Sequence, residues 1–268
     1  YLESIFCAQD IQRQLPQESK LFFDVDKTWR VVMKTSRDTA NAFKSCTSAG
    51  VKETFGKANE IMDRVQNSLE DYLEKKRMAF PRFYFLSNDE LLEILAQTRN
   101  PEAVQPHISK CFDQIKALDF GSDARPPTND HRIYAMVSPQ GETVDFGPTL
   151  KARGDVETWL TATEKEMRSS LNAFMKVAVK DGETKAREQW ILDHAAQIVL
   201  TVAQIYWTKG IVDCYRENDP LNGIRDFADQ CRAQLIGLTK LVQGNLTKLG
   251  RLSIAALVTL DVHGRDVA

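Results

Sequence analysis

VKETFGKANEIMDRVQNSLEDY, residues 51–72, decides the fold class. Its apolar members Val51, Phe55, Ala58, Ile61, Val65, Leu69 and Tyr72 follow one another at steps of three and four. That spacing marks one face of an α-helix with 3.6 residues per turn, and it predicts an amphipathic helix of about seven turns. Nothing in the stretch alternates with the period of two that a strand requires.

The same period recurs on both sides. Downstream it runs through Val156, Trp159, Leu160, Thr163, Met167, Leu171, Phe174 and Ala178, with Asp155 as the expected N-cap after Gly154. A third helix is expected from Thr184 to Lys209, stopping at Gly210 as the C′ residue. A fourth opens at Asp219-Pro220 and carries Ile224, Phe227, Cys231, Leu235, Leu238, Val242 and Leu249, with Gly244 weakening its last turns. One start is marked more fully than the rest. Ser87-Asn88-Asp89-Glu90 fits a capping box, and Leu86 and Leu91 stand where a hydrophobic staple needs them. Before it, Phe80-Pro81-Arg82-Phe83-Tyr84-Phe85 cannot continue a helix, because Pro81 disfavours α geometry at Phe80. The expectation there is a short extended segment that fills core with large rings.

One place reads as β. After the turn-rich stretch Gly121–Asn129, with Pro126 and Pro127, come Ile133, Ala135 and Val137 in alternation. Ser138-Pro139-Gln140-Gly141 then supplies turn residues, and Thr143, Val144 and Phe146 follow. This predicts a β-hairpin, which is marginal alone in water and must lean on neighbouring structure. The expected fold is therefore mostly α, an elongated bundle of long antiparallel helices with one inserted hairpin. Its expected parts are a helical region 1–120, a connection with the hairpin 121–153, and a helical region 154–268.

Composition bounds the function. Among 268 residues, 35 Lys and Arg face 37 Asp and Glu, for a net charge of −2. That balance offers no electrostatic footprint for nucleic acid or an anionic membrane. The longest apolar runs, Ile198–Trp207 and Leu252–Leu260, fall far short of the roughly 20 residues that cross a bilayer. No secretory leader pattern opens the chain, so a soluble intracellular segment is expected. Cys7, Cys46, Cys111, Cys214 and Cys231 are widely spaced, as are His107, His131, His194 and His263. Neither set has the clustering of a disulfide framework or a zinc site, so reduced, mostly buried thiols are expected. Trp29, Trp159, Trp190 and Trp207 lie in helical patterns and are expected in the core. The start at Tyr1 and the end at Ala268 after an apolar run suggest a segment of something longer.

The sharpest catalytic motif is Phe22-Phe23-Asp24-Val25-Asp26-Lys27-Thr28, which resembles the nucleophile motif of haloacid-dehalogenase-type phosphatases. There the first Asp attacks phosphorus and the second is the acid/base. However, Leu21, Val25, Trp29 and Val32 keep helical spacing through it, which puts Asp24 and Asp26 on different faces. The alternating strands and helices of a parallel sheet are also missing downstream. No Gly-rich phosphate loop and no G-x-S-x-G elbow occurs. Read from its residues, the chain carries no active site and is a mechanical or binding body.

The run YLEKKRMAFPRFYFLSNDELLEILAQTRNPEAVQPHISKCFDQIKAL, Tyr72–Leu118, resembles the linker region of dynein heavy chains. YLESIFCAQDIQRQLPQESKLF at the start, VDKTWRVVM from Val25, GDVETWL from Gly154, QIVLTVAQIYWT from Gln197 and LVTLDVHGRDVA at the end follow that family in the same order. The likeness covers essentially the whole chain. NPEAVQPHISKCFDQIK and GNLTKLGRLSIAALVTLDVH resemble axonemal more than cytoplasmic dyneins. One departure is His194-Ala195-Ala196, where family members often carry Trp-Pro or Trp-Ala, so that helix start is expected to pack differently.

The resemblance implies a lever that lies across a ring of AAA+ modules and bends with the ring's nucleotide state. ATP and Mg²⁺ would bind the ring, with no cofactor in this segment. The microtubule would be engaged through the parent motor, in the axoneme of a cilium or flagellum, and the first AAA+ module would follow Ala268. The hairpin, with Ile133, Val137, Ser138, Pro139, Gly141, Val144 and Phe146, would contact the ring in the bent state. Hinges would fall at Gly121–Asn129 and at Gly147–Gly154. The alternative reading is a stand-alone helical scaffold that binds partner helices on an exposed stripe.

Overall fold

The stripe of residues 51–72 lies on a single helix, and helices dominate the rest of the chain. The computed structural model describes residues 2–97, 100–121, 131–216 and 218–267. Among them stand twelve α-helices and three short strands, so the fold is mostly α with an inserted hairpin. The described residues fall into two units, one drawn from 1–113, 120–132 and 151–162, the other from 114–119, 133–150 and 163–268.

The first unit opens with α1 (Leu2–Phe6), α2 (Gln9–Gln14) and α3 (Pro16–Thr39), the last with Pro16 in its first turn. There the missing amide costs nothing, and the fixed φ suits the helix. α3 ends at Ala40, which carries φ 43°, a left-handed conformation that glycine adopts without strain. After α4 (Ala42–Cys46) comes α5 (Val51–Ala79), whose stripe meets α3 at Trp29 and Phe55, with ring centroids 5.9 Å apart. Phe80–Phe85 forms a 3-10 turn over Pro81–Phe85 rather than the expected extended segment. Pro81 stands at the start of that turn, where it needs no amide partner. Phe80 and Phe83 are buried and meet edge to face at 4.9 Å, whereas Tyr84 and Phe85 are exposed.

The capping box forms as read. Ser87 Oγ accepts from the Glu90 amide at 3.3 Å, and Glu90 Oε2 accepts from the Ser87 amide at 3.0 Å, opening α6 (Asn88–Ala96). Leu86 and Leu91 are both buried beside it. A second 3-10 turn, Pro101–Val104, leads into α7 (Gln105–Cys111). The Arg82 guanidinium lies 4.8 Å from the Phe112 ring centroid and donates to the Cys111 carbonyl at 2.9 Å, so it closes this core from the outside.

In the second unit, β1 (Ala117–Asp119), β2 (Arg132–Val137) and β3 (Thr143–Lys151) form a sheet in that order. β1 pairs antiparallel with β2, Ala117 facing Val137 and Asp119 facing Ala135. The expected hairpin is present and gains this third strand, whose three residues carry too little pattern to read. The expected hinge at Gly121–Asn129 lies outside the described residues beyond Gly121. Gly147–Lys151, expected as a loose return, continues β3.

Helix α8 runs Val156–Thr184, its residues to Ala162 grouping with the first unit and those from Thr163 with the second. The single helix expected over 184–209 is instead two, α9 (Arg187–Asp193) and α10 (Ala196–Cys214). His194 and Ala195 between them are extended, with ψ of 153° and 144°. α11 (Pro220–Val242) starts as predicted, with Asp219 accepting from the Asn222 amide at 3.3 Å. The helix ends at Val242, two residues before Gly244, and Leu249 belongs to a separate helix, α12 (Lys248–Val267).

The core of this unit gathers Ala178, Trp190, Ile191, Ile198, Val199, Val202, Leu238, Ile254 and Leu257. The Trp190 indole N–H donates to the Ala178 carbonyl at 2.8 Å, which satisfies the polar edge of a buried ring. Gly210 does not end a helix. It sits inside α10 where α11 approaches so closely that a Cβ would lie 2.3 Å from the Phe227 ring.

Candidate functional site

The hairpin tip is built by its turn chemistry. Gly141 N–H donates to the Ser138 carbonyl at 3.0 Å, closing a β-turn with Pro139 and Gln140 at its centre. Pro139 supplies the φ that the first central position requires. Gly141 has φ 88°, with nothing within 4 Å of where a Cβ would stand, so the glycine is there for its backbone and not for space. Beyond the turn, the Ser138 amide donates to the Glu142 carbonyl at 2.9 Å and the Glu142 amide to Ser138 Oγ at 3.0 Å.

The candidate residues separate by burial. Ile133 is 1% exposed and is a core residue of the sheet, as are Ala135 and Met136. Val137, Ser138, Val144 and Phe146 are half-buried along the strands, and Pro139 and Gly141 are exposed at the tip. The surface a partner can reach is therefore the turn and its flanks. Glu142 was not singled out by sequence pattern, yet its Oε1 accepts from the Ala196 amide at the start of α10 at 2.9 Å. A cleft of about 410 Å³ opens beside this contact, lined in part by Glu142, Leu192, His194, Leu246 and Gly250.

Charged side chains cluster at the elbow between α9 and α10. Asp181 accepts from Lys185 at 2.8 Å and lies 3.1 Å from His194 Nε2, and Asp193 accepts from Lys185 at 2.9 Å. The Lys185 ammonium holds the Asp181 and Asp193 carboxyls below their ordinary range, and they in turn raise Lys185. Deeper in the bundle, Arg187 donates to Asp261 at 2.7 Å and also to Gln234. Burial pushes the Asp261 carboxyl up despite that partner.

The phosphatase-like motif falls in the middle of α3. Asp24 is exposed, Asp26 pairs with Arg30 at 2.6 Å, and no strand end holds them together. Among the described residues, no group of three or more His, Cys, Asp or Glu could hold a metal. All five cysteines are free. Cys111, Cys214 and Cys231 are buried as expected, but Cys7 and Cys46 are exposed. Burial pushes the Cys111 thiol up to about 11, which leaves it protonated and unreactive at neutral pH. Trp159 and Trp190 are buried, Trp207 is half-buried and Trp29 is 51% exposed. No helix among the described residues is long and apolar enough to cross a membrane.

Residues 1–178 match the family described as "Dynein heavy chain, N-terminal region 2". This chain belongs to the dynein heavy chain family. Human dynein axonemal heavy chain 6 is 47% identical over 284 aligned positions that cover the whole chain. Mouse dynein axonemal heavy chain 2 is 42% identical, and rat dynein axonemal heavy chain 12 is 37% identical, again over the whole chain. The dynein segment spans 7% of the human relative's length, 6% of the mouse relative's and 8% of the rat relative's. The resemblance to dynein heavy chains read from the sequence is thus matched by family and relatives alike. Asp24 and Asp26 are helix surface carboxylates of a dynein segment.

Proposed function

We propose that this segment is the linker of an axonemal dynein heavy chain, a mechanical lever without a catalytic site of its own. It couples ATP-driven changes in the AAA+ ring of the same heavy chain to movement along a microtubule, in the axoneme of a cilium or flagellum. ATP and Mg²⁺ belong to the ring, microtubule contact to the parent motor, and neither nucleic acid nor membrane is a partner. The observation that carries the reading is the 47% identity to human dynein axonemal heavy chain 6 over the whole chain.

Physical features support it. A lever must pass force without buckling, and helices of 24 to 29 residues such as α3, α5 and α8 suit that task. Residues 121–153 serve as a ring-contacting insertion between helical parts 1–120 and 154–268. Within it, Ser138, Pro139 and Gly141 present the tip, Val137, Val144 and Phe146 flank it, and Ile133 anchors it in the core. For bending to do work, ring contacts must differ between states, by about 5.5 kcal/mol for a swing from 1:99 to 99:1.

Deleting Ser138–Gly141 in the intact heavy chain tests this. The motor is expected to fold and hydrolyse ATP while its microtubule gliding velocity falls. Unchanged velocity would remove the hairpin from the mechanism.

A further inference from the structure

Helix α10 begins without a capping side chain of its own. Its N-cap position is Ala195, which makes no side-chain cap, although the first amides of a helix need acceptors. An acceptor comes instead from the hairpin, where Glu142 Oε1 takes the Ala196 N–H at 2.9 Å. A carboxylate there also meets the positive end of the helix dipole. Glu142 is itself clamped to the turn, its carbonyl and amide both bonded to Ser138. On the other side of the elbow, Asp181 of α8 holds the His194 ring at 3.1 Å. The extended residues His194 and Ala195 are thus secured by two carboxylates, one from α8 and one from the hairpin.

We infer that Glu142 is a positioning residue that fastens the hairpin turn to the start of α10, so that load taken up at the tip is delivered to the helices through the α9–α10 elbow. The inference rests on the lever reading above. A cap that only stabilises α10 could come from any acceptor, whereas a cap that transmits load must come from the hairpin. Sequence position offers the means to separate the two, because Ala195→Asp would place a local cap on the same helix without touching the hairpin.

The experiment uses the intact heavy chain in three forms: Glu142→Ala, Glu142→Ala with Ala195→Asp, and the Ser138–Gly141 deletion. Amide exchange in the first turn of α10 is expected to rise on the order of five-fold in Glu142→Ala, the equivalent of a lost helix cap, and to return at Gln197 and Ile198, the amides an N-cap side chain reaches, in the double variant. Gliding velocity is expected to fall at least two-fold in Glu142→Ala and to stay low in the double variant, since the helix is capped again but the hairpin remains unfastened. Velocity restored by the local cap, or unchanged in Glu142→Ala while the tip deletion is slow, would overturn the inference and leave the hairpin's role intact. A tip deletion that glides normally would instead remove the hairpin from the lever reading on which the inference rests.

Discussion

The arm made by α3 and α5 and the bundle made by α9 to α12 are built from similar stripes, yet they bury them differently. In α5, a helix of 29 residues, only Val65, Leu69 and Leu73 are buried, and in α3 only Ser19 and Phe22. Trp29 and Val31 of α3 remain 51% and 60% exposed. In the bundle, by contrast, Trp190 is 3% exposed, and glycines at 182, 210 and 264 let aromatic rings lie against helix backbone. α3 and α5 pack on each other, yet much of each stripe is left half-buried or exposed. The bundle encloses Trp190 from several helices, and Ala178, Ile198, Val202 and Leu257 are buried in the same core. An amphipathic pattern states which face of a helix is apolar, and only the number of layers around it decides how much of that face is removed from water.

That difference can be broken by mutation, and the two tryptophans give the largest contrast. Trp190→Ala is expected to cost about 3–5 kcal/mol, from lost burial and an orphaned cavity. Trp29→Ala should cost no more than about 1 kcal/mol, because half its surface already faces water. Urea unfolding of each variant by circular dichroism checks both, and equal losses would erase the distinction between arm and bundle. Next, Arg187→Met should cost about 3 kcal/mol by leaving the Asp261 carboxylate half-enclosed without its cation. Arg30→Met in the arm, whose partners Asp26 and Glu3 share an exposed surface, should leave the unfolding midpoint unmoved.

Smaller effects sharpen the same picture. Gly210→Ala should cost about 1–2 kcal/mol, since the Phe227 ring must yield and the gain in helix propensity offsets only part of that. Ala40→Gly should stabilise the end of α3 by about 0.5 kcal/mol, by relieving a left-handed alanine. The smallest change is a titration. Glu90 is held down to about 2 by the Lys110 hydrogen bond and then by the Ser87 amide, from an ordinary value of 4.5. Its folded value lies below the unfolded one, so its contribution is full above pH 4.5 and is lost as pH falls toward 2. Lys110→Met should move the Glu90 titration, followed by carboxyl NMR, up toward the ordinary carboxylate range.

What could be read from sequence alone was local. The Ser87–Glu90 capping box, the Asp219 cap and the Pro139–Gly141 turn each act within four residues, and each forms as expected. The longer stripes gave the helices their faces for the same reason. What escaped reading depends on partners distant in sequence. β1 is a strand because β2 lies beside it, and three residues carry no period of their own. Gly210 looked like a helix end, whereas its small size serves the approach of Phe227 from another helix. The elbow at His194 and Ala195 interrupts a stretch, Thr184–Lys209, that holds neither Gly nor Pro, and its cap arrives from Glu142, fifty-four positions away. The hairpin residues named from the resemblance divide between a buried anchor, Ile133, and a reachable tip, a division that only packing decides.

The central claim is that the segment moves as a lever against an ATP-driven ring, and a distance measurement tests it most directly. A fluorophore at the exposed turn residue Gln140 and a second on the AAA+ ring of the intact heavy chain would report single-molecule energy transfer while nucleotide is exchanged. The account predicts two distances whose populations interchange with nucleotide state. One distance, unchanged through the whole hydrolysis cycle, would contradict it.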